Sequence, residues 1–157
     1  MPLASAARTA LEQLVAGQMV ELRQMRSASD RYGRMLADAG TTPVIIGVAS
    51  EADLGATIKL FCSRAIDLTG KTAIGDVFAL ARNAAIVIGN DTGPMHLAAL
   101  SGTPCVILFG PESDPALTAP RGPKGEWLAV LRTDDLRTLP AEDVFARASA
   151  LMKFRRS

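Results

Sequence analysis

The stretch from Ala84 to Gly102 constrains the fold more than any other part of the chain. Ile86, Val87 and Ile88 form a β-branched apolar run, the pattern of a parallel strand buried on both faces. Gly89 closes the run, and Asn90, Asp91, Thr92 and Gly93 are turn formers. Gly tolerates positive φ; the other three bond to nearby backbone. Pro94 suits the first helical position, where its fixed φ is already helical and its missing N–H costs nothing. Met95 to Leu100 continue the helix, and Gly102 can end it in a left-handed cap. A strand, a tight turn and a helix N-terminus are therefore predicted as one unit. The first N–H groups of such a helix lack intrahelical partners, and with the positive end of the dipole they attract anions. Gly93 lets a phosphate approach the backbone, and the Thr92 hydroxyl can add a donor. Asp91 repels a phosphate, so it is expected to hold the loop by accepting from backbone N–H groups, or to reach a ligand hydroxyl. The plain alternative is an ordinary strand-to-helix turn of an α/β protein.

The rest of the chain repeats the alternation. Strands are predicted at Val44-Ile45-Ile46, Ile66-Asp67-Leu68, Cys105 to Phe109 and Leu128 to Leu131. Helices are predicted at about 30–39, 51–61, 72–82 and 140–153, with Gly40 ending the first and Thr72 capping the third. Residues 110–126 hold four prolines and three glycines, so they read as an irregular loop. This alternation implies a Rossmann-like doubly wound parallel sheet in a single α/β domain, with helices on both faces. Ligands of such sheets sit beyond the C-terminal strand ends. The loops there are Gly47–Glu51, Thr69–Thr72, Gly89–Gly93 and Gly110–Asp114.

The N-terminal segment does not fit the alternation. Leu11, Val15, Met19, Leu22 and Met25 recur at helical spacing, so residues 3–28 read as one amphipathic helix. That reading leaves the sheet without its usual first strand. Either Val44–Ile46 then pairs directly with Ile86–Ile88, or the sheet has a hole. The chain divides on this basis into a helical segment, 1–29, and a ligand-binding domain, 30–157.

Length and charge exclude several classes. At 157 residues there is room for one domain with a real core, not two. Seventeen basic and sixteen acidic side chains leave a net charge of +1, so no long-range field favours nucleic acid or an anionic membrane. Two cysteines without metal-ligand spacing argue against a metal site. There is no apolar run long enough for a spanning helix and no signal peptide pattern at the start, so a cytoplasmic location is expected.

Asp91-Thr92-Gly93-Pro94-Met95-His96-Leu97-Ala98-Ala99, followed by Gly102-Thr103-Pro104 and Leu108-Phe109-Gly110-Pro111, closely resembles the bacterial heptosyltransferase family. Asp67-Leu68-Thr69-Gly70-Lys71-Thr72 and Ile45-Ile46-Gly47 with Glu51 match the same pattern, as do Asp114-Pro115 and Pro120 with Gly122-Pro123. The resemblance runs from about Arg31 to Leu131 and covers only the C-terminal half of such enzymes. It implies a GT-B-type glycosyltransferase of lipopolysaccharide core synthesis whose matching half binds a nucleotide diphosphate sugar, ADP-heptose. It implies substrate-binding roles for Glu51, Lys71, Asp91, Thr92, Gly93, Pro94, Met95 and His96.

Each of these residues also has a bland reading. Glu51 can accept from ribose hydroxyls, or simply carry first-turn charge that suits a helix dipole. Val48 stands where the family has a second glycine. Lys71 can offset diphosphate charge or lay its stem beside a base, or be solvated. His96, the only histidine, can donate to a phosphate oxygen or be structural. Arg121 and Lys124 read as solvated charges.

No cofactor, no metal-ligand cluster and no catalytic residue is assigned. The resemblance implies that the acidic base acts from an N-terminal acceptor domain, which is not expected within these 157 residues. Two functions follow as expectations. One is the donor-binding half of a glycosyltransferase, working with an acceptor domain on a partner chain. The other is a non-catalytic remnant or a partner or homodimerisation module, whose working surface is the N-terminal helix.

Overall fold

Four of the predicted strands are apolar along their whole length, and such strands fold only where both faces are covered. The computed structural model describes residues 19–22, 35 and 37–155. Its strands are β1 Met19–Leu22, β2 Val44–Ile46, β3 Ile66–Asp67, β4 Ile86–Asn90, β5 Cys105–Phe109 and β6 Leu128–Arg132. They form one sheet in the order β3-β2-β1-β4-β5-β6, with every neighbouring pair parallel. The helices are α1 Ala52–Phe61, α2 Ile74–Asn83, α3 Gly93–Leu100, the short α4 Pro115–Thr118, and α5 Ala141–Arg155.

Alternate residues of β2, β4 and β5 feed opposite cores. Val87, Cys105, Ile107 and Phe109 pack with Val77 and Leu80 of α2 and with Met95, Ala98 and Ala99 of α3. Ile86, Ile88, Val106 and Leu108 pack on the other face with Val144, Ala148 and Leu151 of α5. Ile45 joins Ile58 of α1, Ala37 and Cys62 in a third cluster. The doubly wound α/β architecture expected from the alternation is the one found.

One expectation is overturned. The sheet does not lack its first strand. Val20 is in register with Val44 on one side and Val87 on the other, so β1 lies between β2 and β4. There is no hole and no direct pairing of β2 with β4, and residues 19–22 are not helical. The remainder of the predicted 3–28 helix lies outside the described residues. The physical reason is competition: the helical spacing of Met19 and Leu22 is a local preference, whereas two flanking apolar strands satisfy the backbone of this segment on both edges.

Smaller corrections concern helix ends. Ala73, not Thr72, precedes the first turn of α2, and its N–H donates to Asp76 Oδ2 at 2.8 Å. Gly93 is the first residue of α3, so Pro94 is the second. Gly40 and Gly102 take the left-handed conformation expected of helix-ending glycines.

The loop after β5 is not free-standing. A Cβ on Gly122 would run into the carbonyl oxygen of Ala99, so the loop lies directly on the C-terminal turn of α3. Gly122→Ala should therefore cost about 1–3 kcal/mol, the usual range for forcing atoms into a packed region. A thermal melt should show a drop of several degrees. Burial also pushes the Cys105 thiol up from 9.0 to about 12. Cys105 should resist thiol reagents in the native state at neutral pH. Its contribution to stability is full below pH 9 and is lost between about pH 9 and 12, because the unfolded chain ionises first. Alkaline melts of the wild type and Cys105→Ala should differ in that window.

Candidate functional site at the sheet switch point

Strand order reverses between β1 and β4, and the crevice beyond that point is where open parallel sheets hold ligands. The turn after β4 stands at its centre. The Asp91 N–H donates to the Leu108 carbonyl at 3.2 Å, which carries the β4–β5 ladder one residue past the strand. Thr92 is extended at the N-cap of α3. Its carbonyl accepts from the Met95 and His96 N–H groups at 3.0 and 3.3 Å. Its hydroxyl does not cap the helix; it donates to the Asn90 carbonyl at 3.3 Å. Among the described residues nothing accepts from the N–H groups of Thr92 and Gly93. A Cβ on Gly93 would meet no atom within 4 Å, and Gly93 is not in the left-handed region. The space over this backbone is open to a ligand.

Two clefts meet at Thr92. The first, about 580 Å³, has Asp91, Thr92, Gly93 and His96 on one wall and Thr118 and Arg121 on the loop opposite. The second, about 200 Å³, has Gly47, Val48, Glu51, Thr72 and Ile74 across from Thr92 and Pro94. A third hollow on the far side of Asp91 carries Glu112, Asp134 and Asp135 beside Arg137. The Arg137 guanidinium and N–H bond the Asp135 carboxylate and hold it below its ordinary range. That hollow stays acidic and disfavours phosphate.

The structure brings most of the sequence-predicted residues to these clefts, and corrects several roles. Asp91 takes no backbone N–H on its carboxylate among the described residues. Its Oδ2 accepts from the Thr118 hydroxyl at 2.7 Å, and its Oδ1 lies 3.5 Å from His96 Nε2. The His96 side chain is 45% exposed and that of Asp91 only 13%, so the imidazole faces the cleft while the carboxylate sits behind it. Met95 is fully buried in the core and offers the cleft no side chain. Glu51 folds back: its Oε2 accepts from the Val48 N–H at 2.9 Å, in the manner of a capping box. A Cβ on Gly47 would lie 2.7 Å from that oxygen, so a larger residue there would push the Glu51 carboxylate aside. Glu51 nonetheless lines the second cleft. Lys71 is turned to the Asp67 carbonyl, with Nζ at 3.2 Å, and lines neither cleft.

Sequence reading missed Thr118; Arg121 is exposed, as a solvated charge would be, and it also lines the first cleft. Both lie on the irregular loop, whose path over α3 is set by tertiary packing. The only local signal was the run Pro120, Gly122 and Pro123, which permits the close approach. Lys124 is exposed as well, and its ammonium stands 3.6 Å from the centre of the Trp127 ring. No group of metal-binding side chains occurs among the described residues, and no described helix is long and apolar enough to cross a membrane.

Residues 33–146 match the family model of glycosyltransferase family 9 (heptosyltransferase). The chain belongs to this family. The matched span begins past β1 and includes every cleft residue named above. Over 102 residues, 60% of the chain, it is 31% identical to lipooligosaccharide heptosyltransferase 2 of Haemophilus influenzae, of which the match covers 28%. The whole fold resembles E. coli ADP-heptose LPS heptosyltransferase II, with a TM-score of 0.81 at 19% identity, covering 100% of this chain and 54% of that one. It also resembles E. coli heptosyltransferase WaaC with ADP, with a TM-score of 0.75 at 20% identity, covering 96% of this chain and 50% of that one. The family 9 chain described here thus spans about half the length of these structures and less than a third of the curated relative.

Because Gly93 has neither a strained φ nor a neighbour to clash with, Gly93→Ala should leave the melting temperature within about 1–2 °C of wild type. Surface substitutions away from special features stay within about 0.5 kcal/mol. A large fall in stability would show that the glycine serves packing rather than access.

Proposed function

We propose that this family 9 chain is the donor-binding half of a heptosyltransferase-like glycosyltransferase, and that its ligand is a nucleotide diphosphate sugar, ADP-heptose by family resemblance. Residues 30–157, completed by β1, constitute the nucleotide-sugar domain. The observation that carries the reading is the pair of uncommitted N–H groups at Thr92 and Gly93, in open space at the switch point and flanked by a cleft on each side. The solved relative WaaC, described with ADP, supports the choice of nucleotide.

The two clefts suit the two ends of such a ligand. The second has apolar Val48 and Ile74 for a base and Glu51 for ribose hydroxyls, through the carboxylate oxygen that Val48 leaves free. The diphosphate crosses at Thr92 and Gly93, and the sugar enters the first cleft beside Asp91, His96 and Arg121. Glycosyl transfer breaks the bond between the sugar and the diphosphate, so charge accumulates on the departing oxygen. The Gly93 N–H, the positive end of α3 and a ring N–H of His96 would stabilise that charge, an electrostatic role of the oxyanion-hole kind. The base that activates an acceptor hydroxyl is assigned to no residue described here; an acceptor domain on this or another chain would supply it. The lipopolysaccharide core is the acceptor class that the family implies.

Calorimetric titration of the folded chain with ADP, ADP-heptose, UDP and GDP should show binding of the adenine ligands first. Absence of any heat at millimolar ADP would overturn the proposal. Thr92→Val should weaken ADP binding up to about tenfold, because the lost hydroxyl can donate to a charged oxygen only by leaving the Asn90 carbonyl. His96→Ala should also weaken ADP binding, since its ring lines the first cleft and can donate to a phosphate oxygen. Equal affinities in wild type and both variants would remove the α3 N-terminus from the site.

A further inference from the structure

Thr118 closes α4, a helix of only four residues, and its side chain is exposed. Its hydroxyl lies near two acceptors. One is the Asp114 carbonyl at 3.1 Å, the other Asp91 Oδ2 at 2.7 Å. The Asp114 carbonyl already accepts from the Leu117 and Thr118 N–H groups, each at 3.0 Å. A carbonyl has two lone pairs, so its capacity is filled, and the single hydroxyl proton is directed to Asp91. A hydrogen bond from a neutral hydroxyl to a carboxylate is short and strong, as found here.

The bond spans 27 positions of sequence and joins the loop after β5 to the turn after β4. It fixes one oxygen of Asp91, and thereby sets the plane in which the other oxygen faces His96 Nε2. The titratable and charged groups around the imidazole are Asp91 on its own turn and Arg121 on the facing loop. Of the three linked side chains only His96 and Thr118 reach the cleft surface broadly; Asp91 is mostly covered between them.

We propose that Thr118 is a positioning residue for the ligand site: its hydroxyl locks the Asp91 carboxylate so that His96 is held in its binding orientation. The loop after β5 thereby controls the geometry of a site built on the turn after β4. The proposal rests on the donor-binding reading for its consequence in affinity. The latch itself exists without ligand.

His96 is the only histidine in the chain, so its ring signals in a carbon–proton NMR spectrum are unambiguous. In the ligand-free chain at pH 7, Thr118→Val should move the His96 ring signals, and Thr118→Ser should leave them close to wild type. Both variants should stay folded, with Thr118→Ser melting like wild type and Thr118→Val a few degrees lower, because Asp91 Oδ2 loses its donor. ADP affinity should fall about tenfold in Thr118→Val, roughly the worth of one hydrogen bond to a charged group, and should recover in Thr118→Ser. His96 signals in Thr118→Val that superimpose on wild type would overturn the latch. Shifted signals with unchanged ADP affinity would overturn its role in binding. If wild type binds no ADP, the donor reading falls and so does the role in affinity; the latch is then judged by the NMR arm alone.

Discussion

The hydrogen bond from the Asp91 N–H to the Leu108 carbonyl fixes the site to the sheet. It is the last rung of the β4–β5 ladder, placed one residue beyond the end of the strand. Everything downstream is registered from it. The chain turns at Thr92, whose carbonyl absorbs two of the helix's donors, and α3 leaves in a direction that buries Met95, Ala98 and Ala99 against the sheet. The loop after β5 then lies on α3 through Gly122 and ties back to Asp91 through Thr118. A backbone rung, an apolar helix face and one side-chain bond thus hold three segments in place around one turn. None is energetically large alone. Together they leave the turn little freedom, which suits a site that must meet a ligand without first reorganising.

Much of this was legible in sequence, and for identifiable reasons. The β-branched run at 86–88 and the unbroken apolar strand at 105–109 admit only a sheet covered on both faces. Gly40 and Gly102 mark helix ends because left-handed φ is open to them and costly to others. The loops at the C-terminal strand ends carried the family pattern, and the site residues collect there. β1 was illegible for an equally physical reason. Met19-Val20-Glu21-Leu22 has one β-branched residue and a charge at its centre, and its apolar spacing continues a helical stripe. Only its neighbours, β2 and β4, make it a strand.

Roles within the site were less legible than its location. Asp91 was expected to bond backbone N–H groups or a ligand hydroxyl; the first is not found among the described residues, and its carboxylate instead accepts from a threonine 27 residues away. Lys71 sits in a motif loop, but its flexible stem finds a carbonyl at the end of β3, three strands along the sheet from β4. Glu51 illustrates a mixed outcome: one oxygen caps the turn that carries it, as the bland reading held, while the side chain still faces the second cleft. Motif position specifies which loop a residue occupies. It does not specify where a long side chain points, because that depends on partners brought in by tertiary packing.

Thr92 is a shared wall between the two clefts, and this has a consequence for which molecules are retained. A compound filling one cleft must bear its whole loss of translational freedom alone. One that reaches across Thr92 makes its second contact as an intramolecular event, at an effective concentration set by the length and stiffness of its linker, reaching about the millimolar range for short flexible ones. A linker too short cannot span the wall, and one too long dilutes the second group. The width of a single threonine backbone therefore acts as a ruler. Under the proposed donor-binding reading, ligands would be sorted by the distance between their two ends as well as by the chemistry at each end.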